Sequence, residues 1–175
     1  QTFKILADPR WDATQADVKA QFEFLMSVRD KLTETHETIT QIREIRSQLN
    51  TVVDKVKGDD AKQDIVDFAE EIDSKISEIE KELYQTKNQS RQDPLNYPIK
   101  LNNKLANVGS QLSYGNYRPT EQAYDFKEEV TEKIDEQLGK YQDVINEDLP
   151  RFNQMVQQKS VNAVSLDQEE TPVNP

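Results

Sequence analysis

The chain has 175 residues, of which 34% are hydrophobic and 31% charged, with four glycines and no cysteine. A net charge of −11 repels nucleic acid and anionic lipid, and a chain without cysteine has no disulfide, zinc–thiolate centre or thiol nucleophile. No apolar run approaches the roughly 20 residues that a bilayer-spanning helix needs. What these bounds leave is one domain of slender helices, each burying a single stripe.

The start, Gln1-Thr2-Phe3-Lys4-Ile5-Leu6, lacks an initiator Met and reads as an excised piece would. Thr2 to Leu6 alternates polar and apolar until Asp8-Pro9-Arg10 stops it, so residues 1–12 are expected to be the end of a preceding β-domain or a linker.

Thr14 is a good N-cap, with Asp17 three residues on in the place of the capping-box Glu. From Val18 an apolar stripe runs through Phe22, Leu25, Leu32, Ile39, Ile42, Ile45, Leu49, Val52 and Val56 in steps of three and four. Gly58 is placed to end this helix. A helix over about 14–57 is roughly 65 Å long at 1.5 Å per residue. His36 and Arg29 fall on the same stripe, where they predict a buried or boundary polar layer that fixes helix register.

A second helix is predicted from Asp59 or Asp60 to about Lys87, with the near-heptad seam Ile65, Phe68, Ile72, Ile76, Ile79 and Leu83. Its opposite face carries Glu70, Glu71, Asp73, Glu78, Glu80 and Glu82. The carboxylates Asp67, Glu70 and Glu71 have a spacing that could serve acid–base chemistry in a pocket; on a thin helix they read as solvated surface. Pro98 suits the first turn of a third helix through Leu101, Leu105, Val108 and Leu112. Thr120 caps a fourth helix over about 120–159, whose stripe is Ala123, Phe126, Val130, Ile134, Leu138, Tyr141, Ile145, Leu149, Phe152 and Val156. Pro150 should kink it without ending it, since the stripe keeps phase on both sides.

The lengths predict an all-α, elongated, antiparallel up–down–up bundle over residues 13–160. Its outer legs are the two long helices, and its middle leg is two helices in tandem, broken by a polar insert. The alternative folds the third helix back to give a four-helix cross-section. Residues 161–175 read as a loose acidic tail.

The insert, Gln85 to Leu105, departs most from this pattern. It holds four Asn, three Gln, two Pro and a Tyr, with a local charge of +3. It predicts either a clasp on the neighbouring helices or a partner surface, with Asn88, Arg91, Asp93, Asn96, Tyr97, Asn102 and Asn103 as the candidate residues. In the clasp, Arg91 pairs with Asp93, the amides satisfy backbone groups opened by the helix break, and Leu95 with Tyr97 plugs the bundle. Asn88-Gln89-Ser90 matches the N-glycosylation sequon, a short pattern with a high chance rate.

The stretch Glu82 to Leu105, with Asp8-Pro9-Arg10, Gln21-Phe22, Arg29-Asp30 and Arg118-Pro119-Thr120, resembles the C-terminal region of large bacterial sortilin-like, BNR-repeat glycosyl hydrolases. In that family a β-propeller comes first, a small β-domain follows and a helical region closes the chain. The resemblance implies a secreted, periplasmic or cell-envelope location. It also implies a non-catalytic accessory or scaffold domain, because any catalytic residues belong to the propeller. The expected partners are the preceding domains of the same polypeptide or another protein, with no cofactor, no nucleic acid, no membrane insertion, and a monomeric or weakly dimeric state. The alternative is that insert 85–105 contributes to a carbohydrate-binding or glycosidase site formed with the propeller.

Overall fold

The structure, a computed structural model, describes residues 2–3 and 8–161. Helix covers about three-quarters of them, and none is in a strand. The long helix α1 (Gln15–Val56) starts at a complete capping box: the Thr14 hydroxyl accepts from the Asp17 N–H, and the Asp17 carboxylate accepts from the Thr14 N–H. Its C-terminus turns at Gly58, whose φ of +90° is a left-handed conformation that glycine adopts without a Cβ clash. A short 3₁₀ turn, Asp60–Lys62, leads into α2 (Gln63–Leu83). After the insert come α3 (Leu101–Leu112), α4 (Glu121–Asp143) capped by the Thr120 hydroxyl, a π turn (Val144–Asp148), and α5 (Leu149–Gln158).

Cross-leg contacts order the legs. Arg46 and Arg43 of α1 reach Asp73 and Glu80 of α2, so α2 runs back along α1. Gln21, near the start of α1, donates to the carbonyls of Leu112 and Gly115, so α3 continues the descent in line with α2. The third leg climbs again. Lys31 meets Asp135, Tyr141 donates to Gln41, Lys75 meets Asp148, and Lys159 meets Asp64. This is the up–down–up arrangement with a broken middle leg, and α3 does not fold back. No helix of the described residues is long and apolar enough to cross a membrane.

Pro150 leaves the third leg unbroken. It has no N–H and its ring crowds the preceding turn. The helix widens there, and Leu149 N–H bonds five residues back to the Val144 carbonyl. The kink expected at this proline is therefore a π turn.

All six seam residues of α2, from Ile65 to Leu83, are buried. Each contributes roughly 1.5–3 kcal/mol of burial. On α1 one line of buried positions recurs every seven residues, at Gln21, Val28, Thr35, Ile42, Leu49 and Val56, with Phe24, Thr38 and Ile39 buried beside it. Ile39, Ile42, Leu49 and Val56 of the stripe read from the sequence are buried as expected, and its lower half is corrected. Phe22 is 61% exposed, Leu25 and Leu32 are half-buried, and Arg29 and His36 face solvent, so they form no buried polar layer. The lower half of α1 carries two heptad seams one residue apart. The fold keeps the one in phase with Ile42, Leu49 and Val56. On α4, Phe126 is likewise exposed rather than in the core, while Tyr124 lies edge-on to Phe24 with centroids 5.1 Å apart.

Three further expectations move. The second helix ends at Leu83, four residues before Lys87, where Tyr84 becomes extended. The third begins at Leu101, because Tyr97, restricted by the proline after it, and Pro98 itself lie outside the helix. Glu80, expected on the solvated face of α2, is buried. Its two carboxylate oxygens accept from Arg43 at 2.7 Å and Arg46 at 2.9 Å, so the charge enters the bundle already paired. Asp67, Glu70 and Glu71 are solvent-exposed, Asp67 taking a bond from Gln63 and Glu71 from Lys75. Thr2 and Phe3 are not in a strand, and the rest of the expected strand, residues 4–6, lies outside the described residues, as do residues 162–175 of the tail.

Candidate functional site: the insert between α2 and α3

The insert begins where α2 stops. Tyr84 lays its ring beneath the Arg43 guanidinium, 5.2 Å from the centroid, and edge-on to His36. Gln85 then turns into the bundle and is buried. Its Nε2 donates to the Pro98 carbonyl at 2.8 Å and its Oε1 accepts from the Lys87 N–H, so one amide ties both limbs of the loop together. Lys100 adds a second tie to Glu82 at 3.2 Å. These cross-links close the base of the insert across the helix break.

Asp93 closes the middle. Its carboxylate accepts from the backbone N–H groups of Gln89 and Ser90 and from the Ser90 hydroxyl. The Ser90 hydroxyl first, then the two amides, hold its carboxyl below the usual aspartate range. Its own carbonyl accepts from the N–H groups of Asn96 and Tyr97, forming the 3₁₀ turn Asp93–Leu95. Pro94 sits at the start of that turn, where a missing N–H costs nothing. With the carboxylate occupied in this way, the expected Arg91–Asp93 pair does not form.

The tip points away from the bundle. Leu95 is 87% exposed, and Arg91 and Asn96 are also exposed. Tyr97 is partly exposed, with the Lys87 ammonium 5.6 Å from its ring centroid. Leu95 and Tyr97 therefore do not plug the bundle. Asn102, in the first turn of α3, is buried and accepts from the Asn103 N–H, while Asn103 is half-buried. Asn88 is half-buried with its Oδ1 shielded and unbonded. The candidate residues thus divide into Asp93 and Asn102, which serve the loop and helix start, and Arg91, Asn96 and Tyr97, which serve the surface. Gln85, which carries the base, was not among the candidates. Its only sequence signal is an amide placed just past the last leucine of a seam, before a break that leaves carbonyls open.

No family model, curated protein or solved structure matches the chain.

Proposed function

We propose that the chain is a non-catalytic helical accessory domain of a larger secreted or envelope-associated, sortilin-like hydrolase protein. It acts as a scaffold that docks a neighbouring domain of the same polypeptide, or a protein partner, through the tip of the 85–105 insert. The supporting observation is the division within that loop. Gln85, Asp93 and Lys100 fix its base and middle, while Leu95, Arg91 and Asn96 are exposed. Leaving a leucine in water forgoes roughly 1.5–3 kcal/mol of burial. An exposed apolar side chain on a preformed loop that also exposes a cation and an amide suits a contact that is completed by another surface.

A second reading, that the insert contributes to a sugar site with a propeller, draws on the exposed Asn96 amide and Tyr97 ring. It fits less well, because Lys87 lies over the Tyr97 ring that a pyranose would stack on. The test is hydrogen exchange at residues 88–97 in the full polypeptide encoded by the gene against the 175-residue chain. Protection of the tip in the longer protein supports docking. Unchanged exchange, or a gene that encodes no propeller, contradicts it.

A further inference from the structure

The lower half of α1 carries a second seam that the fold covers only in part: Val18, Leu25 and Leu32 are half-buried, and Phe22, Arg29 and His36 are exposed. Val18, Phe22, Leu25, Arg29, Leu32, His36 and Ile39 follow one another in alternating steps of four and three, a regular a/d pattern over three heptads. It lies one residue out of phase with the buried seam, and it merges with the core at Ile39. Phe22 is 61% exposed. Leu25, Arg29, Leu32 and His36 form one wall of an open groove, and Ala106 and Gly109 of α3 form the other. The α3 wall is low because Gly109 approaches α1 closely: a Cβ there would lie 3.0 Å from Val28 Cγ1. Tyr84, edge-on to His36, stands at its upper end.

We propose that this groove seats one added amphipathic helix supplied by a basic partner, completing a four-helix cross-section over the lower half of the bundle. Size and charge select that occupant. The seam spans about 32 Å at 1.5 Å per residue, the footprint of one helix of three heptads. A strip that long and about 10 Å wide falls well short of the roughly 800 Å² per partner that a standard whole-chain interface buries. A second copy would also bring a net charge of −11 against the same charge. Glu37 and Glu44, on the groove's outer edge, form no ion pair among the described residues, so they are available to lysines or arginines flanking an incoming apolar stripe. Arg29 is already held by Asp30 at 2.5 Å and does not repel such a partner as a free cation would. This surface is independent of the insert tip, and the two proposals can fail separately.

The experiment uses the 175-residue chain and two synthetic 21-residue heptad peptides with leucine at a and d, one with lysine and one with glutamate at e and g. Binding is followed by fluorescence anisotropy. The lysine peptide is expected to bind and the glutamate peptide is not. Leu32→Glu should weaken binding at least tenfold while leaving circular dichroism unchanged. Phe22→Ser, at a largely exposed position, should weaken it in the same direction and guards against a folding defect at Leu32. Leu95→Glu at the insert tip should have no effect. Absence of binding by the lysine peptide, or binding indifferent to both seam variants, overturns the proposal. So does a concentration-dependent dimer in sedimentation that Phe22→Ser abolishes, since that makes a second copy the occupant.

Discussion

The upper and lower halves of the bundle are built from the same length of helix but not from the same material. Above residue 39 of α1 the interior is aliphatic and aromatic: Ile42, Leu49 and Val56 in α1, Ile65 to Leu83 in α2, and Tyr141, Val144 and Phe152 in the third leg. Its one deeply buried charge among the described residues, Glu80, is held by two arginines. Below residue 39 the buried positions include Gln21, Thr35, Asn102 and Gln137, interspersed with Phe24, Val28, Leu105 and Ile134. Large apolar residues are present there too, but Phe22, Phe126, Leu25 and Leu32 lie outside or at the edge. The upper half is thus closed by apolar burial within the chain. The lower half is closed partly by amides and hydroxyls, and it leaves apolar surface available to something else.

Substitutions can break or sharpen this contrast. The largest expected effect is in the upper core, where Ile72→Ala in denaturant unfolding should cost about 2–5 kcal/mol. Glu78→Ala, on the solvated face of the same helix, should stay within about 0.5 kcal/mol. Equal costs would show that the buried seam has been placed wrongly.

Glu80→Ala comes next. It removes the shared acceptor of Arg43 and Arg46, at about 2–3 kcal/mol for hydrogen bonds to a charged group. The arginines are partly exposed and can turn to water, which keeps the loss below that of a fully buried pair. A neutral or stabilising Glu80→Ala would mean that the carboxylate is not buried against them.

In the lower half, Gln21→Ala strips the donor from the Leu112 and Gly115 carbonyls, which close the C-terminus of α3. The expected cost is about 1–2 kcal/mol in the same assay. A loss as large as that of Ile72→Ala would erase the difference between the halves.

The smallest effect is electrostatic and sits at the lower tip. The Thr14 hydroxyl, then Arg118, hold the Asp17 carboxyl down at about 2, from an ordinary value of 3.8. A depressed folded-state pKa contributes stability that is present above the unfolded value and lost as pH falls through the folded one. Asp17→Asn should therefore lower the melting temperature at pH 7 and make little difference near pH 2. A carboxyl resonance of Asp17 titrating near 4 would contradict the cap and the Arg118 contact.

Local signals carried much of the fold. Thr14 with Asp17, Gly58 and Thr120 mark helix ends by chemistry that acts within four residues, and the α2 seam has an aliphatic or aromatic residue at every step. The lower half of α1 was not legible in this way. Two seams one residue apart both contain apolar residues, and only the packing of α3 and α4 selects the one through Gln21, Thr35 and Ile42. Glu80 and Gln85 were hidden for a related reason. A polar letter reads as surface until its partner, Arg43 or the Pro98 carbonyl, is placed beside it from elsewhere in the chain. Within the insert, composition flagged the segment but could not divide Asp93, which folds the loop, from Asn96, which faces outward.

The contrast between the halves is tested most directly by native-state hydrogen exchange along α1, a single helix that runs through both. Helical hydrogen bonding is continuous, so a difference in protection reports the packing around the helix. Strong protection is expected over residues 42–56, with a step down toward the N-terminus and residues 18–36 opening at lower free energy than the upper segment. Uniform protection from residue 18 to residue 56 would show that the lower half is closed as firmly as the upper, and the contrast between the halves would fall.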